Sequence, residues 1–446
     1  YLPSRVSLVG DGPATVLVIP PLKVAYLAKD IRKGGRVLTC KTKPAFRVGE
    51  GIGVCDDKRR GWWGTHGEVE RVEGKRVWLS VPFNRQLSAG RNARVVSLFP
   101  GIWAEGETDI EIRDLTLKGP DGYEGPWWDF TYSGMHIVSC QRVRILNCSV
   151  FGWPSDGIGV QRGCDVQVAH CQAHGCRGHG FHPGTGLVRS VWSHNIGRGN
   201  GGDGYYFCAQ VHHSVCSDSV FSENGQHGIG GVANGGDHHN IVSNNVCSYN
   251  DMCGIDANRG EEQVITGNLL LSNSQAQCGN YPGIRAHDLT HSLMQGNRCA
   301  DDQEQATQTR GIVESGESDY NLMSGNLCVG MDDAVVVTDG AAGCAVAAPG
   351  FVGWVASRPV KAVLTGPYTL ARLSQLGCYQ DLASLVMDLA VIQNQEARAL
   401  EEAGATVIQF DEPAILKFKD DLPLLKNASA VVTRGIGAKT VLCTYF

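Results

Sequence analysis

The sequence predicts an all-β right-handed parallel β-helix over residues 1–345, followed by a partial α/β segment of barrel type over residues 359–446. Three observations point there. A glycine followed by an apolar residue recurs every 23 to 29 residues. A row of asparagines keeps the same register. Beyond Gly343 the pattern changes to short strands alternating with amphipathic helices.

The glycines are Gly134, Gly157, Gly180, Gly204, Gly228, Gly254, Gly283 and Gly311, and the residues after them are Met135, Ile158, Phe181, Tyr205, Ile229, Ile255, Ile284 and Ile312. Such a period, built of strands and turns, is one coil of a β-solenoid. Asn245, Asn268, Asn297 and Asn326 each stand two residues before Cys247, Leu270, Cys299 or Cys328. Amides stacked at one turn can hydrogen-bond along the axis, while their partners point inward at period two. Cys148 and Cys171 take the asparagine place in earlier coils. Leucine-rich horseshoes have a similar period, but the coils lack a leucine pattern and any helical stretch. Coils 106–345 are regular, and residues 1–105 are an irregular start. Val6 to Leu17 reads as an early coil. Ile52-Gly53-Val54, Gly67 to Val72 and Arg76 to Val81 read as inserted hairpins, and Ile110 to Leu117 begins the stack proper.

Composition limits the partners. Charged residues make up 19% of the chain and hydrophobic residues 42%, a globular balance, and the net charge of −6 includes no basic run. Nucleic-acid binding needs clustered Lys and Arg, so it is not expected. No stretch is apolar enough to span a bilayer. The chain begins at Tyr1, so a leader is an open expectation. The 17 cysteines fall largely at apolar repeat positions, where a thiol acts as a small hydrophobe. The redox compartment and disulfide state stay open.

This half resembles the pectate-lyase-like right-handed β-helix superfamily, through the coil period and the opening phrase "VSLVGDGPATVL". The resemblance implies a polysaccharide partner and a secreted or cell-surface location. A β-helix bore is packed, so chemistry belongs on an outer face. The residues before the glycines are Ser133, Asp156, His179, Asp203, His227, Cys253, Pro282 and Arg310. Two places after the glycines stand His136, Gly159, His182, Tyr206, Gly230, Asp256, Arg285 and Val313. These rows define a strip of Asp, His, Tyr and Arg.

Asp156, Asp203 and Asp256 are the candidate catalytic carboxylates, with His179, His182 and Arg285 beside them. Asp156 and Asp203, two coils apart, would be separated by about 9–10 Å. That is the outer limit for an inverting glycosidase, where one carboxyl protonates the leaving group and the other activates water. His179 could relay protons. Alternatively Arg285 is the base or carboxylate clamp of a lyase, and Asp256 a calcium ligand. Tyr206, His227 and the adjacent Trp127 and Trp128 are candidate sugar contacts, with Trp62 and Trp63 a weaker pair. The strip could equally be a non-catalytic, tailspike-like binding surface, or Asp and His simply suited to turns. His170, Cys171, His174, Cys176, His179 and His182 crowd together, but they straddle a coil boundary, so turn chemistry is expected there rather than zinc.

Residues 346–358 read as a junction. Beyond it come a strand Lys361 to Leu364, a helix Asp381 to Ala403, a strand Ala405 to Phe410, a helix Leu422 to Val432 and a strand Lys439 to Tyr445. The phrases "VKAVLTGPYTLARLS", "EEAGATVIQFDEPAIL" and "KTVLCTYF" are similar to the cobalamin-independent methionine synthase superfamily, which implies a cytoplasmic setting for this part. The resemblance implies that Asp411 contacts an amino-acid substrate at a strand's C-terminal end. The family's activating zinc is held by His, Cys and Glu on later strands, and the third strand here offers Leu442-Cys443-Thr444-Tyr445 instead. Methyl transfer by this chain is therefore not expected, and a fusion or truncation would account for both parts.

Overall fold

The computed structural model describes residues 1–58, 64–97, 100–120, 132–232, 234–337, 345–347, 361–374, 379–402 and 405–444. Trp62, Trp63, Trp127 and Trp128 lie outside the described residues, as does the junction from residue 348. Two compact units emerge: residues 1–314 with 326–335, and residues 315–325 with 336–446.

The first unit is a parallel β-solenoid with three long sheets. One runs from Ser7–Val9 through Thr108–Arg113 and Gln141–Leu146 toward Leu293–Gln295. The second runs from Val16–Val18 through Thr116–Lys118 to Leu327–Val329. The third, which carries the predicted strip, includes Ile102–Glu105, Met135–Val138, Ile158–Gln161, Phe181–Pro183, Tyr205–Tyr206, Ile229–Val232, Ile255–Asn258 and Ile284–His287. The early coil is present, since Ser7 pairs with Glu111 and Val16 with Thr116. Strands Gly51–Cys55, Thr65–Glu73 and Arg76–Leu79 pair antiparallel as expected, within a six-stranded sheet that has its own core around Leu27, Val77 and Leu87.

The glycine row exists because adjacent coils approach too closely there for a side chain. A Cβ on Gly157 or Gly180 would lie 2.6 Å from the carbonyl oxygen of the next glycine in the column. The apolar residues that follow, Met135 to Ile312, are fully buried. Each such aliphatic or aromatic side chain contributes roughly 1.5–3 kcal/mol.

The asparagine row is a hydrogen-bonded ladder. Asn245 Nδ2 donates to Asn268 Oδ1 at 3.1 Å, and Asn268 Nδ2 donates to Asn297 Oδ1 at 2.9 Å. Cys171 does occupy the same column, its backbone N–H donating to Asn195 Oδ1 at 2.9 Å. A second ladder, Asn200, Asn224, Asn250, Asn273 and Gln308, runs along another corner. Cys148, Cys171, Cys247 and Cys299 of the repeat are buried, Cys328 is half-buried, and all 15 cysteines among the described residues are free. Between strands the chain turns through the left-handed region, with φ of 52° at Asn147, 56° at His170 and 56° at His194. Asn and Asp tolerate this conformation better than most residues.

The second unit contains a three-stranded parallel sheet in the order Lys361–Thr365, Val407–Asp411, Lys439–Cys443. Helix α1 (Pro367–Leu373) follows the first strand directly, an element that the sequence reading leaves as loop. Helix α2 (Leu382–Glu402) and helix α3 (Leu422–Val432) lie where expected. The buried stripe of α2 is Val386, Ala390, Gln393 and Ala397, spaced four, three and four residues apart as one helix face requires. Val391 and Ile392, although apolar, fall on the exposed side. No helix among the described residues is long and apolar enough to cross a membrane.

Candidate functional site

The third sheet brings the two predicted rows together across successive coils. His136 pairs in register with Gly159, Gly159 with His182, Tyr206 with Gly230, and Asp256 with Arg285. The strip is contiguous, but most of it is closed to solvent: Asp156 and Asp203 are each only 2% exposed, and Asp256 is 6% exposed. Small residues make this possible. A Cβ on Gly230 would meet the Asp203 carboxylate at 2.5 Å, and one on Gly159 would meet Ser133 Oγ at 2.1 Å. The glycines of one row thus receive the polar side chains of the other.

Asp156 is held from two sides. Its Oδ1 accepts the His179 backbone N–H at 2.7 Å, and its Oδ2 lies 2.7 Å from His182 Nδ1. Burial opposes ionisation of Asp156, yet the charge and hydrogen bond of His182 hold its carboxyl below the usual range. Burial likewise disfavours a charged His182, but Asp156 overcomes this and raises the imidazole to about 10. The two form a buried ion pair.

Asp203 repeats the pattern one step on. Its Oδ1 accepts the His227 N–H at 2.8 Å, and its carboxyl is lowered despite burial by the imidazoles of His179 and His227. His179 Nδ1 lies 2.9 Å from the Asp203 N–H and 3.2 Å from Asp203 Oδ2. A bare Nδ1 suits the first contact and a protonated one the second. His227 repeats the backbone contact, its Nδ1 accepting the Cys253 N–H at 3.1 Å. Asp256 is taken by Arg285, whose Nε lies 2.5 Å from Oδ1.

The reachable part of the strip is smaller. Tyr206 is half-buried and stacks on His179, with ring centroids 4.3 Å apart and planes 10° apart. It meets the His182 ring edge-on at 5.2 Å, and its hydroxyl accepts from Asn234 Nδ2 at 3.2 Å. Burial raises its phenol, so it stays protonated. Arg285 is half-buried.

Sequence reasoning missed Cys208, which lies beside this group with its Sγ 3.2 Å from Thr185 Oγ1. His182 Nε2 makes no hydrogen bond of good geometry. The Cys208 thiol is nevertheless close enough to feel its charge. Burial pushes that thiol up, but the imidazolium outweighs burial and brings it to about 7. The residue sits two places after Tyr206, outside both rows that were read, so no periodic signal marked it.

The histidine–cysteine crowd from 170 to 182 is dispersed. His170 stacks on His194 and His174 on Phe151, whereas Cys171 and Cys176 point into the interior. In the second unit Thr365, Asp411 and Cys443 align at the C-terminal ends of the three strands. Gln409 Nε2 donates to Asp411 Oδ1 at 2.7 Å. Glu412 is buried and accepts the N–H groups of Tyr368 and Thr369 at 2.9 and 2.7 Å, closing the start of α1. Gly366 leaves the space for it, since a Cβ there would meet the Glu412 carboxylate at 2.3 Å.

Comparison with known proteins finds two separate matches along the chain. Residues 100–235 match the right-handed β-helix region, and residues 322–440 match the catalytic domain of cobalamin-independent synthase. The chain is 49% identical over 83 residues to methionine synthase of Pyrococcus abyssi and 42% identical over 83 residues to that of Saccharolobus solfataricus. Each match covers 19% of this chain and 25% of the relative, so the chain spans a quarter of the length of the curated relatives it matches.

Solved structures with a similar coil include the mannuronan C-5 epimerase A-module of Azotobacter vinelandii (14% identity, 55% of this chain and 75% of that one, TM-score 0.41). Others are the tailspike of Pseudomonas phage phi297 (12%, 80% and 70%, TM-score 0.41) and an alginate lyase from Paenibacillus (15%, 52% and 91%, TM-score 0.42). The chain therefore joins a right-handed parallel β-helix to a segment resembling cobalamin-independent methionine synthase.

Proposed function

We propose that the β-helix is a polysaccharide-active protein whose glycan site lies on the outer face of the third sheet, centred on Tyr206. The observation that carries this reading is the convergence of Tyr206, His179, His182 and Asp156 from consecutive coils, with the Tyr206 phenol partly open to solvent. An exposed aromatic edge beside fixed charges suits a sugar ring.

The chemistry favours elimination over hydrolysis. An inverting glycosidase needs one carboxyl kept protonated. Asp156 and Asp203 are both held in the ionised form, so neither supplies that acid. A lyase instead needs a group to neutralise a uronate carboxylate, a base to take the proton beside that carboxylate and a proton donor for the leaving oxygen. Arg285 fits the first role, with Asp256 orienting it. His179, stacked on Tyr206, is the candidate base, and Tyr206, kept protonated by burial, fits the third role. A calcium role for Asp256 would require displacing Arg285 and is not part of this proposal.

The competing reading is a non-catalytic binding β-helix. It is favoured by the way each Asp accepts a backbone N–H from the next coil, which gives those carboxylates a structural use. Methionine-synthase activity involves the three quarters of the relatives that this chain does not match, and it forms no part of the proposal.

A polysaccharide panel incubated with the chain separates these readings. Unsaturated-product absorbance that falls at least 100-fold in Tyr206→Phe is expected. Reducing ends without absorbance would mean hydrolysis, and neither signal would leave the binding reading.

A further inference from the structure

Outside the Tyr206 site, one corner of the solenoid gathers four histidines that neither the β-helix reading nor the synthase resemblance uses. The dipeptide His-His occurs at 212–213 and again at 238–239, 26 residues on, in the next coil. Parallel bridges join His212 to His238 and continue to Glu261 and Thr290. The second histidine of each pair turns the corner, with φ of 55° at both His213 and His239.

The result is a two-by-two array. His212 stacks on His238 with centroids 4.5 Å apart and planes 9° apart, and His213 stacks on His239 at 5.0 Å and 8°. Within each coil the Nδ1 atoms face one another, at 2.9 Å for His212 and His213 and at 2.6 Å for His238 and His239. Ligand atoms of His212, His213 and His238 all lie within 4.8 Å of one another. His213 and His239 are exposed and the other two half-buried, so an ion from solvent can reach them.

We propose that His212, His213 and His238 bind a divalent transition-metal cation of the nickel and copper class, with the exposed His239 able to turn in as a fourth ligand. Two features converge on this. The Nδ1 atoms of each coil's pair are close enough together to share one ion. The far nitrogen of His239 is engaged, since Nε2 lies 2.8 Å from Glu262 Oε2. A carboxylate on the outer nitrogen places the proton there and leaves Nδ1 free as a donor, the usual support of a metal-bound imidazole.

Imidazole nitrogens suit nickel and copper among the first-row dications.

The test uses tag-free, EDTA-stripped full-length chain titrated with NiCl₂ or CuCl₂ by calorimetry, with visible spectra recorded alongside. One saturable equivalent per chain is expected, with a ligand-field band. His212→Asn/His238→Asn should weaken it at least 100-fold. His170→Asn/His194→Asn removes a stacked pair 4.8 Å apart elsewhere on the same molecule and should leave it intact. Circular dichroism melts of both variants establish that each is folded. Absence of a saturable equivalent would overturn the proposal. So would retention of that equivalent in the folded first variant, or equal loss in both.

Discussion

The two units use parallel strands in different ways. In the β-helix a strand pairs with the coil before and the coil after, and polar ladders seal the turns between. Stability is then a sum of nearest-neighbour terms along the axis. In the α/β unit the sheet among the described residues has three strands, and its outer ones carry Val363 and Leu442 about half exposed. Its core is assembled instead by helix packing and by single buried groups such as Glu412. A repeat meets its requirements locally, whereas a barrel segment relies on distant strands.

The largest effect that tests this difference comes from deleting one rung. Asn250 accepts from Asn224 and donates to Phe221 O at 3.0 Å and Asn273 Oδ1 at 2.8 Å. Asn250→Ala leaves several buried partners unmatched and should cost about 4 kcal/mol or more. Glu412→Ala uncovers two helix N–H groups and should cost about 2 kcal/mol. Urea unfolding followed by tryptophan fluorescence and far-ultraviolet dichroism should resolve two transitions, with each variant moving a different one. A single transition shifted by both would break the comparison.

The next effect concerns a rung that is out of place. Corner positions that hold Leu187, Val211 and Leu289 in other coils are apolar and fully buried, yet Asp237 occupies this position in its own coil. Its Oδ1 accepts the Val211 N–H at 2.8 Å, while its Oδ2 is buried without a hydrogen bond. Burial pushes this carboxyl up to about 8. Below about pH 4 both folded and unfolded chains hold the proton, and there is no penalty. Between pH 4 and 8 the unfolded chain releases it first, so stability falls as pH rises. Asp237→Asn keeps the acceptor and removes the titration. It should raise the unfolding free energy little at pH 4 and progressively more toward pH 8, reaching roughly a few kcal/mol, which a melting series against pH reads. A pH-independent difference would show that Asp237 titrates normally in the folded chain.

How far the sequence revealed these features depended on whether they repeat. The glycine column, the Asn245 ladder and the places of Cys148 and Cys171 were legible, because close coil contact and corner hydrogen bonding impose the same residue type every turn. The Asp–His strip was legible as a row. Its burial was not, because that depends on which glycine faces which carboxylate across coils. The Asn200 ladder, shifted by five residues from the first, went unread although its spacing was equally regular. Helix α1 was missed because Thr365-Gly366-Pro367 looks like a turn until Glu412, 46 residues later, closes its first N–H groups. Cys208 lies outside the rows and Asp237 interrupts an apolar one, so the periodicity marks neither.

The smallest effect sharpens the contrast between the buried, inert thiols of the repeat and the one beside His182. Cys247 and Cys253 are fully buried, and burial pushes their thiols well up. Cys208 is only half-buried and lies at about 7, because the His182 imidazolium, itself secured by Asp156, stabilises the thiolate. The thiolate is the reactive form. Iodoacetamide labelling followed by peptide mass spectrometry should give Cys208 a rate profile with a midpoint near pH 7, while Cys247 and Cys253 stay unlabelled in the folded chain. His182→Ala removes the cation but not the burial, so the Cys208 midpoint should move upward by a unit or more. A wild-type midpoint near 9, or one unmoved in His182→Ala, would mean that the imidazolium does not reach the thiol. The polar cluster would then end at Tyr206.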